Sequence, residues 1–514
     1  ELYTGDQNLN YYLSLDPERL TYSQTLPIYE SGQQPDLHAI CHQAYRTPAT
    51  AIPHEIWPVG SLLAAISNRI VRPVTRQIGF EPYTLFLLPV MLVLMWCTYR
   101  FISRRLGISI AVGTVLILAT LPRLQVHAHV NFKDVPGVLL FALTAFTFYA
   151  GITREQPGKV ILAAIFWGIC LSTNSVSLLA PLILIPWYVW HRIRESRSRN
   201  WRPSRGEIYT LLAFPLLGIV TMLLCWPYLL VRFPSHLTAY IQSVIDRGKG
   251  GTGGIDLTPL IYLLTGMPLT LTLAMFIGII TLWYKKRVRP LYVLLMLWLW
   301  VPVLRVCLPG AKDFDGIRHW LIVVIPIAIF AGTGILWIAN VLKRHLPEKR
   351  LLITLLVACL VVLPAVIFNS RHQPYQLAYF NSLVGGLGGA QNMQLRSASD
   401  YWCMSYKEAA RWLNQHEPGH AIITATTAEH MLFFMHGNWL ESRFQPVSLL
   451  ALGEPGLAHM CTEQEAPIYL LQAPHEVSIV PKNLLRERGR VVHTITFDRG
   501  LILNIWHLNP RQQR

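Results

Sequence analysis

Residues 160–190 read VILAAIFWGICLSTNSVSLLAPLILIPWYVW. One helix crosses a bilayer in about 20 apolar residues, so this run is too long for a single span. It is broken at Ser172-Thr173-Asn174-Ser175 and again by Pro181 and Pro186, which predicts two spans joined by a tight polar turn. Further apolar runs lie near 83–102, 107–121, 135–152, 208–229, 266–284, 289–306, 319–339 and 350–368, and the expected total is ten. The run at 107–121 is short and must tilt little or thin the bilayer around it.

Composition points to the same class. With 52% hydrophobic residues, 14% charged residues and 16 Trp, the chain reads as a polytopic membrane protein. A net charge of +16 is a candidate nucleic-acid signal, but in membrane proteins Lys and Arg collect in loops retained in the cytoplasm, so nucleic acid is not an expected partner.

The distribution of charge decides how 160–190 is read. If the chain begins outside, the loops YRFISRRL, TREQPGK, HRIRESRSRNWRPSRGE, YKKRVRP and NVLKRHLPEKR all lie inside and carry 19 Lys plus Arg, against seven in the four opposite loops. Counting 160–190 as one span would leave the first two clusters inside and move the last three outside, against the positive-inside rule. Both ends then lie outside. Because nothing in 1–82 resembles a signal or span, a cleaved segment or a further helix is expected before Glu1.

Three parts are expected: an extracytoplasmic segment (1–82), a transmembrane body of about ten helices (83–369) and a small extracytoplasmic α/β domain (370–514). In the last part, SYKEAARWLNQH predicts a helix with Ser405 and Glu408 as a capping box. The runs HAIITAT, APIYLLQA and LILNIWHL predict strands. The eight cysteines form no CxxC pair; Cys403 and Cys461 fall outside and are candidates for a disulfide in an oxidising compartment.

Polar residues gather at the outer mouth. PRLQVHAHVNFKDVP (122–136) sets Arg123, His127, His129, Asn131, Lys133 and Asp134 together where a span begins. CLPGAKDFDGIRHW (307–320) does the same with Lys312, Asp313, Asp315, Arg318 and His319, and Asp6 opens the chain in YTGDQNLNYY. Ionisable groups at a membrane face are costly unless solvated or paired, and a cluster of them marks a candidate site. A carboxylate can act as general base on an acceptor, while Arg, Lys and His neutralise a phosphate leaving group. Helix-end anchoring stands beside phosphate contact as the reading of Arg318 and His319. For His127 and His129, a divalent metal shared with an aspartate stands beside plain solvated histidines.

The stretch 226–254 leaves a span with Leu230, Phe233, Leu237, Ile241 and Ile245 in roughly one stripe, followed by RGKGGTGG. This predicts an amphipathic helix lying on the bilayer, either a lid over a lipid groove or a simple connector.

The order of an Asp in the first outer stretch, a second acid in HAHVNFKDVPGVLLFALTAF and the late DGIRHWLIVVIPIAIFAGTGI resembles the GT-C superfamily of membrane glycosyltransferases. Within it, the sequence is most similar to bacterial family 39, the dolichyl-phosphate-mannose-protein mannosyltransferase-like proteins. PYQLAYFNSLVGGLGGA and DYWCMSYKEAARWLN resemble motifs of a bacterial subgroup, and the likeness runs over most of 1–415. It implies inverting transfer of a sugar from a polyprenyl-phosphate donor to an extracytoplasmic protein, lipid or glycan, in the plasma (inner) membrane. No cofactor is required, and membrane lipids and membrane-protein partners are expected neighbours.

By the resemblance Asp6 is the candidate general base and Asp134 the acid that orients the acceptor or supports the base. Lys133, His129, Asn131, Lys312, Asp315, Arg318 and His319 are the candidate substrate-binding residues. The family's Asp-Glu is Asp6-Gln7 here, and its DYWG is DYWC with Cys403. Those departures carry the alternative reading, a catalytically silent GT-C-fold scaffold that docks partners. A transporter is disfavoured because no inverted repeat is visible.

Overall fold

The computed structural model describes residues 57–75, 84–199, 204–249, 253–311, 315–344, 347–428, 430–437, 439–447, 449, 461, 466–474, 485 and 488–508. Described residues up to His372 form one compact unit and those from Gln373 onward belong to a second.

The first unit is helical throughout. In chain order its helices are α1 (Pro58–Thr75), α2 (Leu87–Ser103), α3 (Ile108–Thr120), α4 (Pro122–Val130), α5 (Asp134–Thr153), α6 (Pro157–Leu171) and α7 (Leu179–Arg199). They continue as α8 (Arg205–Cys225), α9 (Ser235–Arg247), α10 (Thr258–Thr265), α11 (Leu269–Tyr284), α12 (Arg289–Cys307), α13 (Val324–Leu342) and α14 (Arg350–Arg371). Among the described residues, six helical segments are long and apolar enough to cross a membrane. The pairs α3–α4 and α10–α11 pass the same test together but bend by 64° and 102°. With the shorter apolar helices α2 and α6, every apolar run read from the sequence is helical. The two bends were not foreseen. Pro122 starts α4 and Pro268 precedes α11; neither ring can continue a preceding helical ladder.

The long apolar run does divide at its polar turn. Helix α6 ends at Leu171, and the Asn174 side chain accepts the Val176 N–H at 2.9 Å to start the 3-10 turn that leads into α7. This is the local bonding that makes Asn a good terminator between helices.

Helix α13 is the centre of the bundle: 83% of its span is buried, against 11% for α8 and 28% for α14. The last two instead present Leu212, Leu216, Leu224, Leu351 and Leu360 outward, as lipid-facing helices do. Small residues set the spacing. A Cβ on Gly278 of α11 would strike the Phe330 carbonyl of α13, and one on Gly334 would strike the Ala274 carbonyl. Gly332 meets α3 the same way, with Thr114 N only 2.8 Å from the position of its missing Cβ. In lipid, where burial of apolar surface does not drive helices together, such close backbone approach is the main source of packing energy.

The second unit carries α15 (Gly386–Asn392), α16 (Tyr406–His416), α17 (His430–Met435) and strands β1 (Ala421–Ala425), β2 (Phe444–Pro446), β3 (Ile468–Gln472), β4 (Gly489–Phe497) and β5 (Gly500–Leu508). The sheet order is β2-β1-β3-β5-β4, with β2, β1 and β3 parallel and the β4–β5 hairpin antiparallel. The three strand runs read from the sequence are β1, β3 and β5.

Two local expectations fail here. Ser405 precedes α16, but its side chain makes no cap; Asp400 Oδ2 accepts the Ser405 N–H at 2.7 Å instead, and Tyr375 donates to Glu408. Asp400 thus holds the N–H that Glu408 would accept in a capping box, and Glu408 is engaged by Tyr375. Cys403 and Cys461 are free thiols: Cys403 Sγ sits 3.8 Å from the Thr427 carbonyl, and Cys461 is packed in the apolar core with Ile468 and Leu470.

Candidate functional site

The site forms where α5 begins. Asn131 Oδ1 accepts the Asp134 N–H at 2.9 Å, which satisfies the first N–H of the helix, and Asn131 Nδ2 donates both to Asp134 Oδ2 at 2.5 Å and to His127 Nδ1 at 3.0 Å. Because Nδ1 of His127 accepts, its ring proton is assigned to Nε2. The Asn174 amide, delivered by the polar turn between α6 and α7, donates to the other oxygen, Asp134 Oδ1.

Arg318 arrives from the opposite side. Asp315 and Gly316 both adopt left-handed backbone (φ 60° and 59°), a turn that Asp and Gly tolerate and other residues resist. The turn aims the 3-10 segment Gly316–Val323 so that Arg318 Nε lies 2.9 Å from Asp134 Oδ2 and its Nη1 lies 2.5 Å from Asp315 Oδ2. The guanidinium thus bridges two carboxylates 181 positions apart in the chain, and Asp134 is only 4% exposed. Buried charges of this kind persist when each is paired and hydrogen-bonded.

Lys133 points elsewhere although it neighbours Asp134. Its Nζ lies 4.9 Å from the ring centroid of Trp57, at the start of α1. Gly60 permits this approach, since a Cβ there would meet the Phe132 carbonyl at 2.5 Å. Beside these groups opens a cavity of about 380 Å³. Its polar lining includes Asp134, Lys133, Arg318, His319, Arg305 and Asn174. Its apolar lining includes Leu178, Leu179 and Leu182 of the α6–α7 turn and α7, with Val244 of α9. The size is that of a small-molecule site.

Of the residues singled out in the sequence, Asn131, Lys133, Asp134, Asp315, Arg318 and His319 are brought to this region. His129 is not. It is exposed, with Nδ1 2.6 Å from the Gln125 carbonyl of its own helix, and it does not line the cavity. Two residues on one α-helix separated by a single position diverge by about 200°, so His127 turns inward as His129 turns out and the pair does not converge on one ion. Asp6, Gln7, Lys312 and Asp313 lie outside the described residues.

Three lining residues went unread. Asn174 was visible only as part of a polar break, Arg305 as a charge ending a span, and Trp57 not at all. Helix α9 carries the expected stripe, with Ile241 and Ile245 exposed and Tyr240 buried against Trp226.

Comparison with known proteins places this region in context. Residues 58–226 match the family model described as dolichyl-phosphate-mannose-protein mannosyltransferase. The match spans α1 through α8 and so includes Lys133, Asp134 and Asn174. Among solved structures, the chain is similar to ArnT from Cupriavidus metallidurans bound to undecaprenyl phosphate, at 15% identity over 88% of this chain and 87% of that one, with a TM-score of 0.46. The apo state of ArnT gives 14% identity, 98% and 97% coverage and a TM-score of 0.47. The Archaeoglobus fulgidus oligosaccharyltransferase in the apo form gives 12% identity, 80% and 61% coverage and a TM-score of 0.45. No curated protein sequence matches the chain.

Proposed function

We propose that the chain is a membrane glycosyltransferase that moves a sugar from a polyprenyl-phosphate donor to an extracytoplasmic acceptor with inversion at the anomeric carbon. The observation that supports this best is the cavity beside Asp134, whose lining is part cationic and part apolar. Lys133, Arg305, Arg318 and His319 suit a phosphate, and Leu178, Leu179, Leu182 and Val244 suit the first isoprene units of its lipid. The match of residues 58–226 to a mannosyltransferase family supports the same class of reaction.

In this reading the phosphate leaves with the bonding electrons of the anomeric carbon as the acceptor attacks from the opposite face. The cations that line the cavity stabilise the negative charge developing on the leaving phosphate. Both Asp134 oxygens already accept hydrogen bonds from Asn131, Asn174 and Arg318, so its part is to fix Arg318 and the cavity floor. The general base is assigned to Asp6 by the resemblance alone. The acceptor's proton passes to that carboxylate as the new glycosidic bond forms.

The test uses the whole chain in lipid nanodiscs with a radiolabelled polyprenyl-phosphate sugar and a panel of protein, lipid and glycan acceptors. Asp6→Asn is expected to bind donor as the parent does but to transfer about 10²–10⁴-fold more slowly, and the product anomer reports inversion. Parent-like turnover by Asp6→Asn removes Asp6 as the base. Donor binding by the parent with no transfer to any acceptor favours the scaffold reading.

A further inference from the structure

Helix α5 links the cavity to a second feature. From Asp134 to its C-terminal end it runs 20 residues, about 30 Å at 1.5 Å per residue, which is the thickness of the hydrocarbon core. At that far end lies a separate pocket of about 290 Å³ between α2, α5 and the start of α6. Arg100 comes from the last turn of α2 and Arg104 and Arg105 follow its end, while Arg154 follows α5 and Lys159 lies in the first turn of α6. The basic loops YRFISRRL and TREQPGK therefore converge on one concavity.

We propose that this pocket binds the phosphate headgroup of an anionic phospholipid in the leaflet opposite the Asp134 cavity.

Basic loops at span ends are common as orientation signals, and such a signal needs only charge near the membrane. The arrangement here is more specific. No described residue lining the pocket is acidic, so five cations face one space without a carboxylate among them. Two guanidinium groups are held in place by rings: Arg100 lies 5.5 Å from the Trp96 centroid, and Arg105 lies 5.4 Å from that of Phe101 and 4.9 Å from that of Tyr149. Stacking of this sort orients the fork while leaving its N–H edge available to an anion. Burial, and behind it the charges of Arg154 and Arg104, pull the Arg105 pKa below its ordinary value against the opposing effect of Tyr149, and a bound anion would offset that crowding.

The apolar part of the lining points to a lipid. Leu143, Phe146, Thr147 and Ala150 fall at the i, i+3, i+4, i+7 spacing of one helix face and lead from the cations back along α5 toward mid-membrane. Trp96 is 58% exposed beside them, as expected of an interfacial tryptophan. Phosphate bound at the arginines places an acyl chain on this stripe. Basic pockets between helix ends are where anionic headgroups bind in membrane proteins.

The test is native mass spectrometry of the full chain released from nanodiscs containing phosphatidylglycerol and phosphatidylcholine. The parent is expected to retain phosphatidylglycerol selectively. Removing two charges by Arg104→Gln with Lys159→Gln should weaken that retention about 25-fold, at roughly 5-fold per cation. The matched control Lys285→Gln with Lys286→Gln removes the same charge elsewhere and should retain lipid as the parent does. Ala150→Phe, which fills the apolar slot and leaves every cation, should also lose the lipid. Equal retention of the two lipids, equal loss in both charge variants, or full displacement by millimolar inorganic phosphate would overturn the proposal. The last of these would assign the pocket to a soluble phosphate.

Discussion

Replacing Asp134 with Asn keeps the size of the side chain but removes half of the Asp134–Arg318 pair. Three donors converge on the carboxylate: Asn131 Nδ2, Asn174 Nδ2 and Arg318 Nε. An amide offers one acceptor oxygen and turns its own N–H groups toward at least one of them. Breaking a buried ion pair by removing one partner costs about 3–5 kcal/mol. Arg318 retains Asp315 and is 17% exposed, which puts the cost at the lower end, about 3 kcal/mol. Arg318→Gln should cost a similar amount, because Asp134 is then left with two neutral donors. The double variant should lose little more than either single one, giving a coupling of about 2–3 kcal/mol. Reversible unfolding of the four proteins in mixed micelles measures this cycle. Additivity to within about 0.5 kcal/mol would show that the two groups do not act as a pair and would refute the account of the site. Arg318→Lys should recover only part of the loss, since a point charge cannot fork between Asp134 and Asp315.

Other expectations follow from the same geometry. Lys133→Gln and Arg305→Gln, which remove cations from the cavity lining, should raise KM for a polyprenyl-phosphate sugar by about 10-fold with a smaller change in kcat; an effect on kcat alone would argue against donor binding. Single cysteines placed in 191–207 and 232–256 should be protected and reactive, respectively, in intact cells, and equal labelling would reject the proposed topology. Burial of Asp400 raises its pKa, with the backbone N–H groups around Ser405 opposing. Its stabilising contribution is therefore complete below the ordinary carboxylate value and is lost as pH rises through the raised folded value. Asp400→Asn should flatten the pH dependence of protease resistance in the C-terminal unit across that window, and an unchanged profile would contradict the assignment.

Some of this was legible in the residues because the signal was local. Ser172–Ser175 interrupt an apolar run, and a polar turn in lipid must satisfy its own backbone, so the division into α6 and α7 could be read directly. The strands β1, β3 and β5 were legible as short apolar runs flanked by polar residues. The pairing of Arg318 with Asp134 was not, because 184 positions separate them and only packing brings them together. Asn174 shows the same limit: its polarity was visible, but its reach to a carboxylate 40 residues earlier was not. The outward turn of His129 was not legible either, because only in a helix do residues 127 and 129 point to different sides. The Ser405–Glu408 cap and the Cys403–Cys461 pairing failed for the opposite reason, since suitable local chemistry was redirected to other partners.

The glycine contacts of α13 bear on how the cavity can change shape. Gly278, Gly332 and Gly334 lock its backbone against α11 and α3, so a one-turn slip would drive side chains into carbonyl oxygens on both sides. Arg318 stands just before this helix and inherits its fixed depth. Helix α9 contributes Val244 to the same cavity and presents Ile241 and Ile245 outward. The depth of the charged lining is thus set by glycines that lie outside the cavity and never touch what it holds.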